Sequence, residues 1–127
     1  VILDSTWAKV AGTWLQLPAA PRETVNVLSD APLIEVDARL GKNYRVTLGG
    51  NRTLANPTNA YDWQMLMFEF IQDGSGNRTL TLDTKFKLGT DIAAVTLSTG
   101  ANKRDLLGVR YNADVDKFDV IAFVRGY

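Results

Sequence analysis

The chain contains no cysteine and no histidine. The first absence excludes a disulfide staple, a thiolate nucleophile and a thiolate-held metal. The second removes the commonest general base, the commonest zinc ligand and every Ser-His-Asp or Cys-His arrangement. Neither sign of charge prevails, because 14 basic residues stand against 14 acidic ones. Lys103-Arg104 is the only adjacent basic pair, whereas a nucleic-acid binder shows a basic surplus or stripe, so no nucleic-acid partner is expected. No apolar run approaches the roughly 20 residues of a membrane helix, and no membrane partner is expected. The opening "VILDSTW" meets Asp4 after three apolar residues, without the basic-then-apolar order of a signal peptide. The expectation is a soluble chain made without an export signal. Proline is scarce, and Pro18, Pro21 and Pro32 all fall in the first third.

What is present reads as β structure. Short runs rich in Val, Ile, Thr, Phe and Tyr are separated by Gly, Asn and Asp clusters roughly every 8–12 residues, the spacing of sandwiches and barrels. "WAKVAGTWLQL" predicts a small hairpin turning at Ala11-Gly12. The proline-punctuated stretch after it holds one candidate strand, "ETVNVL", of edge or arm character. "LIEVDA" and "NYRVTLG" predict strands, the second with Tyr44, Val46 and Leu48 on one face. "WQMLMFEFIQ" predicts another, with Leu66, Phe68 and Phe70 on one side and Trp63, Met65, Met67, Glu69 and Ile71 on the other. "RTLTLD" is expected to return antiparallel to it, and "DLLGVRYN" with "KFDVIAFVRG" to form a last hairpin across "NADVDK". No helix is expected beyond short turns near Asp91-Ile92. The predicted fold is all-β: an antiparallel β-sandwich or jelly-roll-like barrel with an extended N-terminal arm. Residues 1–40 are assigned to a hairpin and arm for attachment, and residues 41–127 to a compact antiparallel domain. Both Trp63–Ile71 and Phe118–Val124 are apolar on two faces, so a loop, the arm or a neighbouring subunit must cover the second face.

Little of the sequence offers chemistry. Asp114, Asp116 and Asp119 alternate as in a calcium loop, but the pattern wants Gly at its sixth position and Glu at its twelfth, where Lys117 and Phe123 stand. No metal and no cofactor is expected. Asn51-Arg52-Thr53 and Asn77-Arg78-Thr79 fit the glycosylation acceptor pattern, which matters only in a secreted eukaryotic chain. "GGNRT" lacks the Gly-Lys-Ser/Thr ending of a phosphate loop. No carboxylate pair stands out for glycoside hydrolysis. The chain is therefore expected not to be an enzyme. Trp7, Trp14, Trp63, Tyr44, Tyr61, Tyr111 and Tyr127 could stack on sugars, although core or interface packing is the commoner use of such residues.

The pentapeptide Gly-Asn-Arg-Thr-Leu occurs at Gly50–Leu54 and again at Gly76–Leu80. Each copy is read as a strand start after a glycine-assisted turn; its arginine could salt-bridge a neighbour or sit at an interface, a solvated edge charge being the commoner case. Two copies with different flanks are not expected to form a stacking repeat. In order, "RVTLGGNRTLANPTN", "FEFIQDGSGNRTLTLDTKFKLG" and "LLGVRYNADVDKFDVIAFVRGY" resemble a β domain recurrent in bacteriophage virion proteins, both small capsid-exterior proteins and tail-fibre-associated chains. The resemblance covers about residues 44–127. It implies a non-enzymatic virion structural protein. Without a long shaft, the architecture suits a head decoration (cement) protein on the capsid exterior. Such proteins bind the major capsid protein, or another virion protein, and commonly sit as homotrimers. Under that reading Trp7, Trp14, Leu15 and Leu17 form the attachment arm, and Met65, Met67, Ile71, Ile121 and Phe123 close a subunit interface. The alternative implied by the same resemblance is a tail-fibre or tail-tip domain recognising a host-surface glycan.

Overall fold

A computed structural model describes residues 7–16 and 23–127, with side chains for 9–15 and 23–127. Trp7–Val10 (β1) pairs antiparallel with Thr13–Gln16 (β2). The turn between them holds Ala11 and Gly12 at φ 49° and 82°, the left-handed pair whose twist suits a two-residue hairpin. Glycine carries that geometry without strain and alanine tolerates it at some cost. This is the hairpin that the sequence predicts.

From Val25 onward the strands alternate between two sheets. Val25–Val27 (β3) belongs to the first sheet, Leu33–Ile34 (β4) to the second, Asn43–Leu48 (β5) to the first, and Arg52–Leu54 (β6) to the second. Met65–Gln72 (β7) returns to the first and Leu80–Leu82 (β8) to the second. Within each sheet these strands run parallel, in the orders β3-β5-β7 and β4-β6-β8. The described residues therefore form three stacked coils. Phe86–Lys87 (β9) then crosses to the far edge of the first sheet, parallel to Lys117–Val124 (β11). Arg104–Asn112 (β10) lies antiparallel between β7 and β11. The six-stranded order is β3-β5-β7-β10-β11-β9. Among the described residues the helical content is one 3₁₀ turn, Ala38–Leu40.

The protein is thus nearly all β, but with mixed sheets in place of the expected antiparallel ones. Residues 80–82 do not fold back on β7. Gln72 is buried and its amide engages Arg78 twice, accepting from its N–H at 2.9 Å and donating to its carbonyl at 2.8 Å. That pair of bonds turns the chain across to the second sheet, where β8 finds β6. The boundary expected at residue 40 is not kept. Ile34, Val36 and Ala38 lie in the main core and β3 pairs with β5, so residues 25–40 belong to the body. Pro32 is accommodated because β4 is an edge strand, and its carbonyl accepts from Thr53 N–H at 2.9 Å.

The inner faces of both sheets supply one core. Ile34 and Leu54 come from the second sheet; Tyr44, Val46, Leu48, Leu66, Phe68, Phe70, Leu107, Val109, Phe118 and Val120 come from the first. Parallel register sets Tyr44 directly opposite Phe68, and the rings stack at 5.4 Å with planes 25° apart. Burial of Phe68 and Phe70 contributes roughly 2–3 kcal/mol each. The Tyr44 hydroxyl stays satisfied in the core, 2.8 Å from the Gly41 carbonyl and 3.0 Å from that of Asp37. Asp105 is buried as well, and accepts from Ser98 N–H at 2.6 Å, Ser98 Oγ at 2.8 Å and Gly126 N–H at 2.9 Å. It pins the irregular strand-to-strand crossing and the chain's last residues to β10.

The two pentapeptides lie on neighbouring coils but not as equivalent stacked units, since Arg52 lies opposite Leu80 rather than Arg78, and Gly76 and Asn77 take positive φ while Gly50 and Asn51 do not. Both copies nevertheless use the arginine to grip an aspartate. Arg52 holds Asp30 through Nε–Oδ1 at 2.7 Å and Nη2–Oδ2 at 3.1 Å. Arg78 holds Asp73 through Nε–Oδ1 at 3.2 Å and Nη2–Oδ2 at 2.8 Å. These arginines are corner clamps, not solvated edge charges. Asn51 Oδ1 accepts from Thr79 N–H at 3.0 Å and Asn56 Oδ1 from Lys85 N–H at 2.8 Å. Side-chain amides at the two ends of β6 therefore tie it to the next coil.

The clamps make stability acid-sensitive. The Arg52 guanidinium holds the Asp30 carboxyl below its usual range, as Arg78 does for Asp73. Arg39, joined by Asn59, lowers Asp37 from 3.8 to about 2. A carboxyl depressed in the folded state stabilises fully above its unfolded value and loses that contribution as pH falls through the folded one. The urea midpoint is expected to stay level from neutrality to about pH 5 and to fall between pH 4 and 2. In a double variant, Asp30→Asn with Asp73→Asn, the midpoint should start lower and fall less steeply over the same range.

Candidate interaction surface

The outer face of the six-stranded sheet is built by alternation. In β7 the even positions Leu66, Phe68, Phe70 and Gln72 turn inward, so Met65, Met67, Glu69 and Ile71 turn outward. Met67 pairs with Gly108, whose missing side chain leaves a gap that Met67 fills. A Cβ placed on Gly108 would meet Met67 Cε at 3.3 Å. Gly108 in turn pairs with Ala122 of β11. Met65, Met67 and Ile121 are 42%, 41% and 51% exposed, high for large apolar side chains on a sheet face. Val124 extends the exposed apolar set, while Ile71, Leu106 and Ala122 fill the same region half-buried.

A β-bulge decides which β11 residues belong to this face. Gly108 pairs with Ala122 but Val109 pairs with Val120, leaving Ile121 as the extra residue. An added residue reverses the inside–outside phase of a strand. Phe118 and Val120 point inward before the bulge, and Phe123, opposite the buried Leu107, points inward after it. Phe123, assigned from the sequence to the subunit interface, packs instead against the core. Strict alternation cannot reveal this, because the bulge has no strong local signature beyond Gly108.

Charged pairs border the apolar region. Glu69, with its side chain 16% exposed, accepts from Arg45 Nε at 2.6 Å and Arg104 Nη1 at 3.2 Å. Arg110 and Asp119, paired across β10 and β11, meet at 2.8 Å. Arg110 also lies over the Trp63 ring at 4.1 Å. Trp63 is not in β7 as predicted; it precedes the strand in a turn at φ 69°, its N–H donating to the Tyr111 carbonyl at 2.9 Å. A bulky residue at positive φ is strained, yet Trp63 is 68% exposed, and Tyr61, two positions before it, is 64% exposed. The bordering residues were missed from the sequence because their pairing exists only once strand register is known.

Of the predicted arm residues, Trp14 and Leu15 are exposed on β2. The side chain of Trp7 and the whole of Leu17 lie outside the described residues. Among the described residues no three His, Cys, Asp or Glu side chains gather as a metal-holding group. Asp116 is occupied by Lys85 at 2.8 Å and the Tyr111 hydroxyl at 2.7 Å, and Asp119 by Arg110. The outer sheet face thus leaves an apolar region exposed within a border of ion pairs.

A pair of single changes separates the two faces of β11. Ile121→Asp should shift stability by no more than about 0.5 kcal/mol, whereas Phe123→Asp should destabilise by about 2 kcal/mol or more. Circular-dichroism melts at low protein concentration read the difference directly. No protein-family model matches this chain, and neither does any curated protein or solved structure.

Proposed function

We propose that this chain is a non-enzymatic structural protein of a phage virion, a head decoration protein that binds the capsid exterior and self-associates as a trimer. The observation that carries the reading is the outer sheet face, where Met65, Met67 and Ile121 stand exposed inside a border of ion pairs. Exposed apolar patches rimmed by charge mark surfaces that another protein covers. The resemblance of residues 44–127 to virion β domains supplies the setting. Two sheets closing over one core favour a sandwich over a closed barrel, and such a compact knob suits a protein present in many copies on a lattice. Binding only the assembled shell would stabilise it by mass action.

Quantitative mass spectrometry on purified virions, with the major shell protein as internal standard, tests this reading. A copy number within a small factor of the shell protein is expected. A handful of copies would move the chain to the tail, and absence from the particle would overturn the virion role.

A second reading rests on Trp63. An exposed indole in a strained backbone conformation, held by Arg110, is a fit platform for stacking on a sugar ring. It favours a tail-tip domain that recognises host-surface glycan. Glycan-array binding that disappears in Trp63→Ala, with an unchanged melting curve, is the outcome that reading requires; no binding by the parent chain removes it.

A further inference from the structure

One end of the coil stack is left open by the described residues. β3 and β4 are the outermost strands of their sheets at the same end, since both sheets stack in coil order. The carbonyls of Pro32 and Ile34 accept from Thr53 and Ala55 in the next coil. Backbone alternation therefore directs the polar groups of Leu33 and Glu35 away from the stack. The rim is apolar: Val27 is 77% exposed, Leu40 61% and Leu33 49%. Between them lies a depression of about 550 Å³ whose lining includes Val27, Leu33, Leu40 and Ala55 together with the carboxylates of Glu35 and Asp37. Stacked coils need a cap on a terminal unit, because an open strand edge over an apolar core invites further pairing.

The same chain carries a second unsatisfied element. A two-stranded hairpin alone in water is marginal, and the β1–β2 hairpin exposes every described side chain, Val10, Trp14 and Leu15 among them. Lys9 is its one charged residue. Glu35 has no ionic partner among the described residues. The apolar characters match and the charges are opposite. Within one chain, hairpin and open end stand exposed at once.

We propose that the β1–β2 hairpin of one copy docks on the open first-coil end of a second copy through the hairpin face that carries Trp14 and its cross-strand partner Lys9, Trp14 entering the depression and Lys9 facing Glu35. The exchanged hairpin would cap the stack and extend a sheet edge by strand addition. This deepens the attachment-arm reading by naming what the arm grips; it depends on self-association and not on a place in the virion.

The absence of native cysteine makes the test clean. One full-length chain carries Trp14→Cys and another Val27→Cys, both at exposed positions, and folding of each is checked by circular dichroism. Mixing under mild oxidation should give a disulfide-linked heterodimer in clear excess over what either chain gives alone. Adding Lys9→Glu to the first chain should reduce that product several-fold, and Glu35→Lys in the second should restore it. Absence of the heterodimer overturns the proposal. So does a chain carrying both cysteines that cross-links only within itself, which would mean each hairpin caps its own stack. A heterodimer from a protein that proves absent from virions would leave this inference standing while the virion reading fell.

Discussion

The structure depends on one constraint: successive coils must stack in parallel register so that like meets like in the core. Tyr44 over Phe68 and Leu54 beside Leu82 are its consequences. A strand pair joined this way cannot close through a tight turn, because parallel neighbours need a long crossover. The chain uses each crossover to lay down a strand of the second sheet. The side-chain amides of Asn51, Asn56 and Gln72 and the arginine clamps at Asp30 and Asp73 sit at the corners where the chain changes sheet. There the backbone leaves its ladder and its polar groups must find other partners.

The stack is finished differently at its two ends. On the β7 side the first sheet continues into the antiparallel β10–β11 hairpin, and Asp105 draws the crossing segment and the last residues onto it. On the β3 side nothing in the described chain plays that part, and the exposed apolar side chains concentrate there and on the outer sheet face. Both surfaces leave large apolar side chains exposed among the described residues, Val27, Leu33 and Leu40 at the open end and Met65, Met67 and Ile121 on the sheet face.

Much was legible in the sequence. The period-two alternation of residues 43–48 and 65–72 put Tyr44, Val46 and Leu48 on one face and Leu66, Phe68 and Phe70 on one face, and these are the faces that line the core. Ala11-Gly12 and "NADVDK" marked both hairpin turns correctly. Less of the interaction surface could be read. Met65, Met67 and Ile121 followed from alternation, but Phe123 was misassigned by a bulge, and Trp63 by a left-handed turn that no pattern of apolar residues announces.

Local properties are those the sequence determined by itself: an all-β chain, which residues can face a core, where tight turns fall, and the absence of thiol or imidazole chemistry. They follow from side-chain type and a two-residue period, which need no knowledge of distant partners. Only the tertiary structure decided whether neighbouring strands run parallel or antiparallel, that the two pentapeptides meet two residues out of register, and that residues 25–40 belong to the body. Strand direction depends on where a crossover lands, and the landing is set by contacts such as Gln72 with Arg78 and Asn51 with Thr79. Those contacts join positions whose partnership has no trace in composition or period, because it comes into being only when the coils stack.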